Sequence, residues 1–213
     1  MLESTLIVGT TGSGKSYLLN KILDKQERDR SAAWVLIDPK RVELFDRTDS
    51  TRCLKYADDD TSAMAAITWA YTQMQVRIDR MRSERMRETD EKPLYIIIDE
   101  FALIMRDRKR RAAYGSILSD ICVMGRAAHV FVVGCTQVPT RQNVPTEIMD
   151  NINSKVVLRM DDMSRARYVF GPGTAGNIGR LPRHGYGYVR TPDMTSDEPE
   201  RCTIEEIIDR LHV

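Results

Sequence analysis

Short uninterrupted apolar runs alternate along this chain with longer stretches whose apolar residues recur every three or four positions. The first kind fits strands buried on both faces, and the second fits amphipathic helices. The pattern predicts a strand over Ser4 to Val8 and a helix from Lys15 to about Glu27. A second strand spans Ala33 to Ile37 and ends in Asp38-Pro39-Lys40, where proline stops the ladder. Thr51 to Tyr56 reads as a short third strand. Asp58-Asp59-Asp60-Thr61 is rich in capping residues and opens a long helix reaching about Glu88. Its apolar positions Ala63, Ile67, Ala70, Met74, Ile78 and Met81 step along one face.

Pro93 leads into the apolar run Tyr95 to Ile98, which ends in Asp99-Glu100. A helix follows from about Arg108 to Arg126, then a buried strand over His129 to Cys135 with Thr136-Gln137 at its end. Ser154 to Arg159 is a further strand, and a helix lies near Ser164 to Phe170. The glycine-rich stretch from Gly171 to Gly179 opens no strong apolar helix, so it is not read as a second phosphate loop. Gly185 to Arg190 reads as a late strand, and Thr203-Ile204-Glu205-Glu206 begins a C-terminal helix with acids in its first turn. Strands alternating with helices predict an α/β fold with a mainly parallel central sheet flanked by helices, its ligands at the strands' carboxyl ends. The length fits one domain over residues 1–213, with the segment from about 171 less clearly patterned.

Composition narrows the function classes. Charged residues make up 30% of the chain but the net charge is +1, so any nucleic-acid contact must come from local loops. Cys53, Cys122, Cys135 and Cys202 have no metal-binding spacing, and Cys122 and Cys135 read as buried thiols. Free thiols point to a reducing cytoplasm. No apolar run approaches about 18 residues and no signal-peptide pattern opens the chain, so it is not expected in the membrane itself. A membrane-anchored partner remains compatible with that reading. The arginines at the far end of the long helix (Arg77, Arg80, Arg82, Arg85 and Arg87) interleave with Asp79, Glu84 and Glu88. They read first as a solvated, salt-bridged face, and second as a stripe facing DNA or a subunit.

Candidate chemistry begins at Gly9-Thr10-Thr11-Gly12-Ser13-Gly14-Lys15-Ser16, which fits G-x-x-x-x-G-K-[ST] between a predicted strand and helix. Glycines let backbone N–H groups turn inward around phosphates. Residues Gly9 through Tyr17 are the candidate nucleotide contacts, with Lys15 reaching the β- and γ-phosphates of a nucleoside triphosphate and Ser16 ligating Mg²⁺. Asp99, at the end of a buried strand, can share the Mg²⁺ shell, and Glu100 stands where a general base would polarise water. That acid pair favours hydrolysis over transfer to a small acceptor. Gln137 ends a neighbouring strand, where an amide can contact the γ-phosphate or simply cap the strand. Arg126 faces away from its own phosphate loop, as either a finger for a neighbour's site or a cation at a helix carboxyl end. A small-GTPase reading is set aside, because Asn20-Lys21-Ile22-Leu23-Asp24 has one residue too many for N-K-x-D and lies on the first helix. A small-molecule kinase would not need Glu100 or Gln137.

Several segments together resemble the FtsK/SpoIIIE family of DNA-translocating ATPases. They are the phosphate loop, Ile37-Asp38-Pro39-Lys40 with Glu43-Leu44, Ile98-Asp99-Glu100-Phe101-Ala102, Gly125-Arg126-Ala127-Ala128-His129, and Thr136-Gln137 followed by Pro139. The resemblance runs from Ser4 to about Arg190. It implies a RecA-like P-loop NTPase core that forms a hexameric ring around double-stranded DNA, with Arg126 acting on a neighbour's ATP and Gln137 sensing the γ-phosphate. The pore-facing cations differ from the family's pattern. Val138 stands where a basic residue often follows the glutamine, and Met163 where a lysine is common. Arg141, Arg165 and Arg167 are the candidate DNA contacts, and fewer cations predict a weaker grip and a shallower salt dependence. The chain begins at the first motor strand, so neither the upstream half of a full motor nor a winged-helix reader is expected, nor sequence-directed recognition. Two rival functions stay open: an engine for protein export, as in type VII secretion, and a nucleotide-binding module that works only with a partner.

Overall fold

The computed structural model describes residues 1–171, 178–182 and 184–213. Most of the glycine-rich stretch therefore lies outside the described residues. The strands are β1 (Thr5–Val8), β2 (Ala33–Ile37), β3 (Cys53–Ala57), β4 (Leu94–Ile98), β5 (Val130–Thr136), β6 (Ser154–Leu158), β7 (Tyr186–Arg190) and β8 (Glu200–Thr203). They form one sheet in the order β3-β2-β4-β5-β1-β6-β7-β8. Every pairing from β3 to β6 is parallel, and β7 and β8 close the far edge antiparallel.

Helices cover both faces, which explains the uninterrupted apolar runs. Residues of alternate parity, such as Leu6, Val8, Ile96, Ile98, Val130 and Val132, pack with α2 (Asp60–Glu84), α4 (Arg108–Met124), α5 (Thr146–Asn151) and α6 (Ala166–Phe170). Their neighbours Ile7, Tyr95, Ile97, Phe131 and Val133 pack on the other face with α1 (Lys15–Asp29) and α7 (Ile204–Arg210). Two polar side chains buried with these layers find partners: Trp34 Nε1 donates to Gln26 Oε1 at 2.8 Å and the Tyr95 hydroxyl to the Leu2 carbonyl at 2.9 Å. Among the described residues no helix is long and apolar enough to cross a membrane.

Local chemistry sets the element ends, and some differ from expectation. Asp59 caps α2 by accepting from the Thr61 and Ser62 amides. That helix ends at Glu84 rather than Glu88, because Arg85 takes a left-handed conformation (φ 56°) that turns the chain. The charged end of α2 takes the salt-bridged reading, with Arg77 on Glu91, Arg80 on Glu84 and Arg82 on Asp79. Asp107 caps α4, which stops at Met124 instead of reaching Arg126. A Cβ at Gly125 would run into the Ile121 and Val130 carbonyls, so glycine is what lets the chain turn there into β5. Thr203 caps α7 in a reciprocal pair with Glu206, as its sequence suggests, but it also ends the unanticipated strand β8. The four-residue helix α3 (Phe101–Ile104) and α5 were likewise not anticipated.

Candidate functional site

The phosphate loop joins β1 to α1 at the carboxyl edge of the sheet. It is anchored across two neighbouring strands: the Gly9 amide donates to Thr136 at 3.2 Å and the Thr10 amide to Arg159 at 3.0 Å. Gly12 (φ 72°) and Gly14 (φ 102°) take left-handed conformations that a side chain would strain, and Gly14 caps α1. Lys15 is 8% exposed and folds over the loop, its Nζ donating to the Gly9 and Thr10 carbonyls at 2.6 and 3.1 Å. Burial lowers its pKa, opposed by the neighbouring acids.

The parallel register brings the acids to the same place. Ile37 sits opposite Ile98, and Ile98 opposite Gly134, so the residues that follow β2, β4 and β5 emerge side by side. Asp38 is fully buried, and its Oδ2 accepts from the Glu43 and Leu44 amides at 3.1 and 3.0 Å. This folds the following turn inward and carries Lys40 and Glu43 to the site. Lys40 Nζ lies 2.8 Å from Asp99 Oδ2 and 3.6 Å from Glu100 Oε2. Burial raises the Asp99 pKa, against the Lys40 ammonium. Burial works against the charge on Lys40 as well, and the bond to Asp99 more than reverses it, leaving that pKa raised. Glu100 is 4% exposed, and its Oε1 accepts from the Gln137 amide at 3.3 Å. Gln137 Oε1 in turn accepts from the Thr11 hydroxyl at 3.0 Å, which closes a circuit back to the phosphate loop.

These groups surround a cavity of ≈ 280 Å³ whose wall includes Lys15, Ser16, Lys40, Glu43, Asp99 and Gln137. Thr11, Gly12, Gly14, Tyr17 and His184 complete it. Glu100 meets the cavity through Lys40 and Gln137. The residues fit a magnesium triphosphate. Ser13 Oγ is buried with no hydrogen-bond partner among the described residues. Lys15 and Lys40 offer positive charge, and Ser16 with Asp99 offers the hard oxygen donors that Mg²⁺ takes. Lys40 and Glu43 were legible only as parts of a family motif, and His184 went unread because its place depends on the turn into β7.

The other candidates lie elsewhere. Arg126 stands at the amino-terminal edge of the sheet, the far edge from the phosphate loop, with its side chain 77% exposed and its Nε 3.4 Å from Glu3 Oε1. It therefore contributes nothing to the cavity of its own chain. Arg165 borders a separate cavity of ≈ 400 Å³ beside Asp161 and Asp162, and pairs with Asp162 at 3.8 Å. Arg167 is exposed on α6, and Arg141 lines a groove against α4 with Arg108 and Arg111. The three candidate DNA contacts thus share the carboxyl edge without forming one cluster. Cys122, Cys135 and Cys202 are buried free thiols, and burial pushes Cys122 up to about 12.

The sequence pattern of the FtsK/SpoIIIE family matches residues 2–169. The DNA translocase FtsK of Helicobacter pylori is 28% identical over 98% of this chain and 26% of its own length. The pCW3 conjugation coupling protein TcpA, solved in monomer form with ATPγS, aligns with a TM-score of 0.79 at 16% identity, covering 99% of this chain and 64% of that one. The cytoplasmic domain of the Type VII Secretion ATPase EccC of Thermomonospora curvata aligns with a TM-score of 0.72 at 17% identity, over 98% of this chain and 28% of that one. At such identities the two structures show a shared fold. This chain spans about a quarter of the length of the FtsK relatives it matches.

Proposed function

We propose that this chain, which belongs to the FtsK/SpoIIIE family, is a Mg²⁺-dependent ATPase motor that moves double-stranded DNA as a ring of like subunits, a hexamer by resemblance to the family, in the cytoplasm. One observation carries the reading: Lys15, Ser16, Asp99 and Gln137 line a single cavity, with Glu100 held at its margin by Lys40 and Gln137. Backbone amides of Gly12 to Ser16 cradle the phosphates, and Lys15 leaves its loop carbonyls for their oxygens. Tyr17 and His184 offer rings at the mouth for the base. Ser16 and Asp99 hold Mg²⁺, which supplies charge neutralisation at the phosphates. Glu100 takes the proton of the attacking water, and Gln137 responds to the γ-phosphate while still bonded to Glu100. Arg126, exposed on the opposite edge, completes the site of the next subunit. Arg141, Arg165 and Arg167 contact the DNA backbone without reading sequence.

The second reading, an engine for protein export, is favoured by the apolar Val138, 36% exposed directly after Gln137. The likeness in fold to EccC agrees with it. The experiment that separates the two is ATP hydrolysis across protein concentration, with and without linear duplex DNA, at low and moderate salt. Stimulation by DNA that fades with salt supports the DNA motor. Concentration-dependent turnover indifferent to DNA supports export. No turnover at any concentration defeats the ATPase reading as the chain stands.

A further inference from the structure

Helix α4 turns one polar face toward the loop that follows β5. Arg108, Arg111, Gly115 and Ser119 lie three or four residues apart and so share one side of the helix. Arg141 and Pro145 form the opposite wall, and the groove between holds ≈ 590 Å³. A Cβ on Gly115 would stand 3.8 Å from Pro145 Cγ, which marks how near the walls come.

The cations here are unlike their neighbour. Arg110 is neutralised by Asp60 at 2.5 Å. Among the described residues none of Arg108, Arg111 and Arg141 pairs with a carboxylate. Arg111 is pinned by its Nε, which donates to the Met105 carbonyl at 2.9 Å, yet its Nη2 is buried with no partner among the described residues. A buried guanidinium nitrogen without an acceptor is costly, and an oxyanion would relieve it. Of the two acids of the groove, Asp120 is about 18 Å along α4 from Arg108 at the usual rise per residue, and Glu147 lies on the wall that bears Arg141.

We propose that this groove grips the phosphate backbone of duplex DNA through Arg108, Arg111 and Arg141, a contact that rests on the DNA-motor reading above. Guanidinium forks match phosphate oxygens in pairs. The track is long rather than closed: the Tyr168 hydroxyl donates to the Val144 carbonyl at 3.2 Å, which ties α6, with exposed Arg167, to the loop bearing Arg141. An extended polyanion fits such a track better than a small one. The site enlarges the DNA contacts read from the loops and offsets the missing cations at Val138 and Met163.

The test is fluorescence anisotropy of a labelled random-sequence duplex, in ATPγS, over a range of KCl concentrations. Arg108→Ala and the double variant Arg108→Ala, Arg141→Ala are compared with the unmodified protein and with Arg110→Ala. Both arginines are exposed, so the fold survives their loss, and fluorescent-nucleotide binding checks it. The slope of log K against log salt should shrink by about 0.9 for each phosphate contact removed, hence about 0.9 and about 1.8. Arg110→Ala should keep the original slope. Unchanged slopes in both variants, with normal DNA binding by the unmodified protein, overturn the groove and leave the motor reading intact. Failure of the unmodified protein to bind DNA overturns both.

Discussion

Lys155 should weaken the fold at neutral pH, and Lys155→Met should strengthen it. The side chain projects from β6 with 7% exposure, directly opposite Arg190 on β7. Burial, then the like charge of Arg190, lowers its pKa from 10.5 to about 8, against the opposing pull of Asp150. At about 1.4 kcal/mol per pKa unit, the ammonium is disfavoured in the fold by about 3 kcal/mol, an upper figure because structure relaxes around a charge. Between pH 8 and 10.5 the unfolded chain holds a proton that the folded chain has released, so stability rises with pH across that window. Below it both states are protonated and the whole penalty stands. Methionine keeps the length of the side chain and removes the charge. Urea unfolding followed by circular dichroism should find the variant more stable at pH 7 by up to about 3 kcal/mol, or about 6–12 °C in Tm. The gap should narrow steadily from pH 8 and nearly vanish by pH 10.5. A variant less stable than the parent at pH 7, or a gap that does not change with pH, would refute the reasoning.

Two further outcomes test how the site is held and shared. Gly134→Ala would drive a Cβ into the Phe101 ring, so we expect a loss of about 1–3 kcal/mol and lower turnover as Glu100 shifts with its neighbour; a parental melting curve and ATPase rate would show that the ring yields freely. Glu100→Gln and Arg126→Ala should each bind nucleotide without steady-state hydrolysis, and mixing them should restore part of the activity, because one protomer's intact glutamate then meets the other's arginine; mixtures that stay inactive would make Arg126 a structural cation only.

The glycine turn between β1 and α1 and the core strands were readable because their signals are local. Glycines at Gly12 and Gly14 announce positive φ, and a run such as Tyr95 to Ile98 stays apolar because helices cover both faces. What escaped reading depends on distant partners. Glu-Arg-Cys-Thr, the whole of β8, has no periodicity of its own and is a strand because β7 offers it an edge. Thr146–Asn151 is too short for helical spacing to register, and its packing comes from α4. The ion pair between Lys40 and Asp99 follows from the register of Ile37 on Ile98, which no spacing along the chain encodes. His184 reaches the cavity only because β7 returns beside β6.

The contacts around Gln137 give the proposed motor a physical route from chemistry to grip. Its side chain touches Thr11 of the phosphate loop, and its backbone holds Glu100. The segment beginning at Gln137 then runs through Val138, whose carbonyl accepts from Asn143 Nδ2 at 2.9 Å, to Arg141 in the groove. It reaches Val144, which is bonded to Tyr168 on α6. In the proposed motor, cleavage at the γ-phosphate would change the charge facing Thr11 and Lys15, and with it the balance of hydrogen bonds at Gln137. The differential contact needed to shift one conformation over another is thus made on the loop that bears the candidate DNA cations. Lys40 adds a second lever. Paired with Asp99 at 2.8 Å and 3.6 Å from Glu100, its single charge sits between the two acids, and Mg²⁺ drawn to Asp99 by ATP would compete with that ammonium directly. Binding would then free Lys40 for the phosphates as Glu100 loses a neighbouring cation. The acid pair and the grip would therefore change state together, as a motor requires.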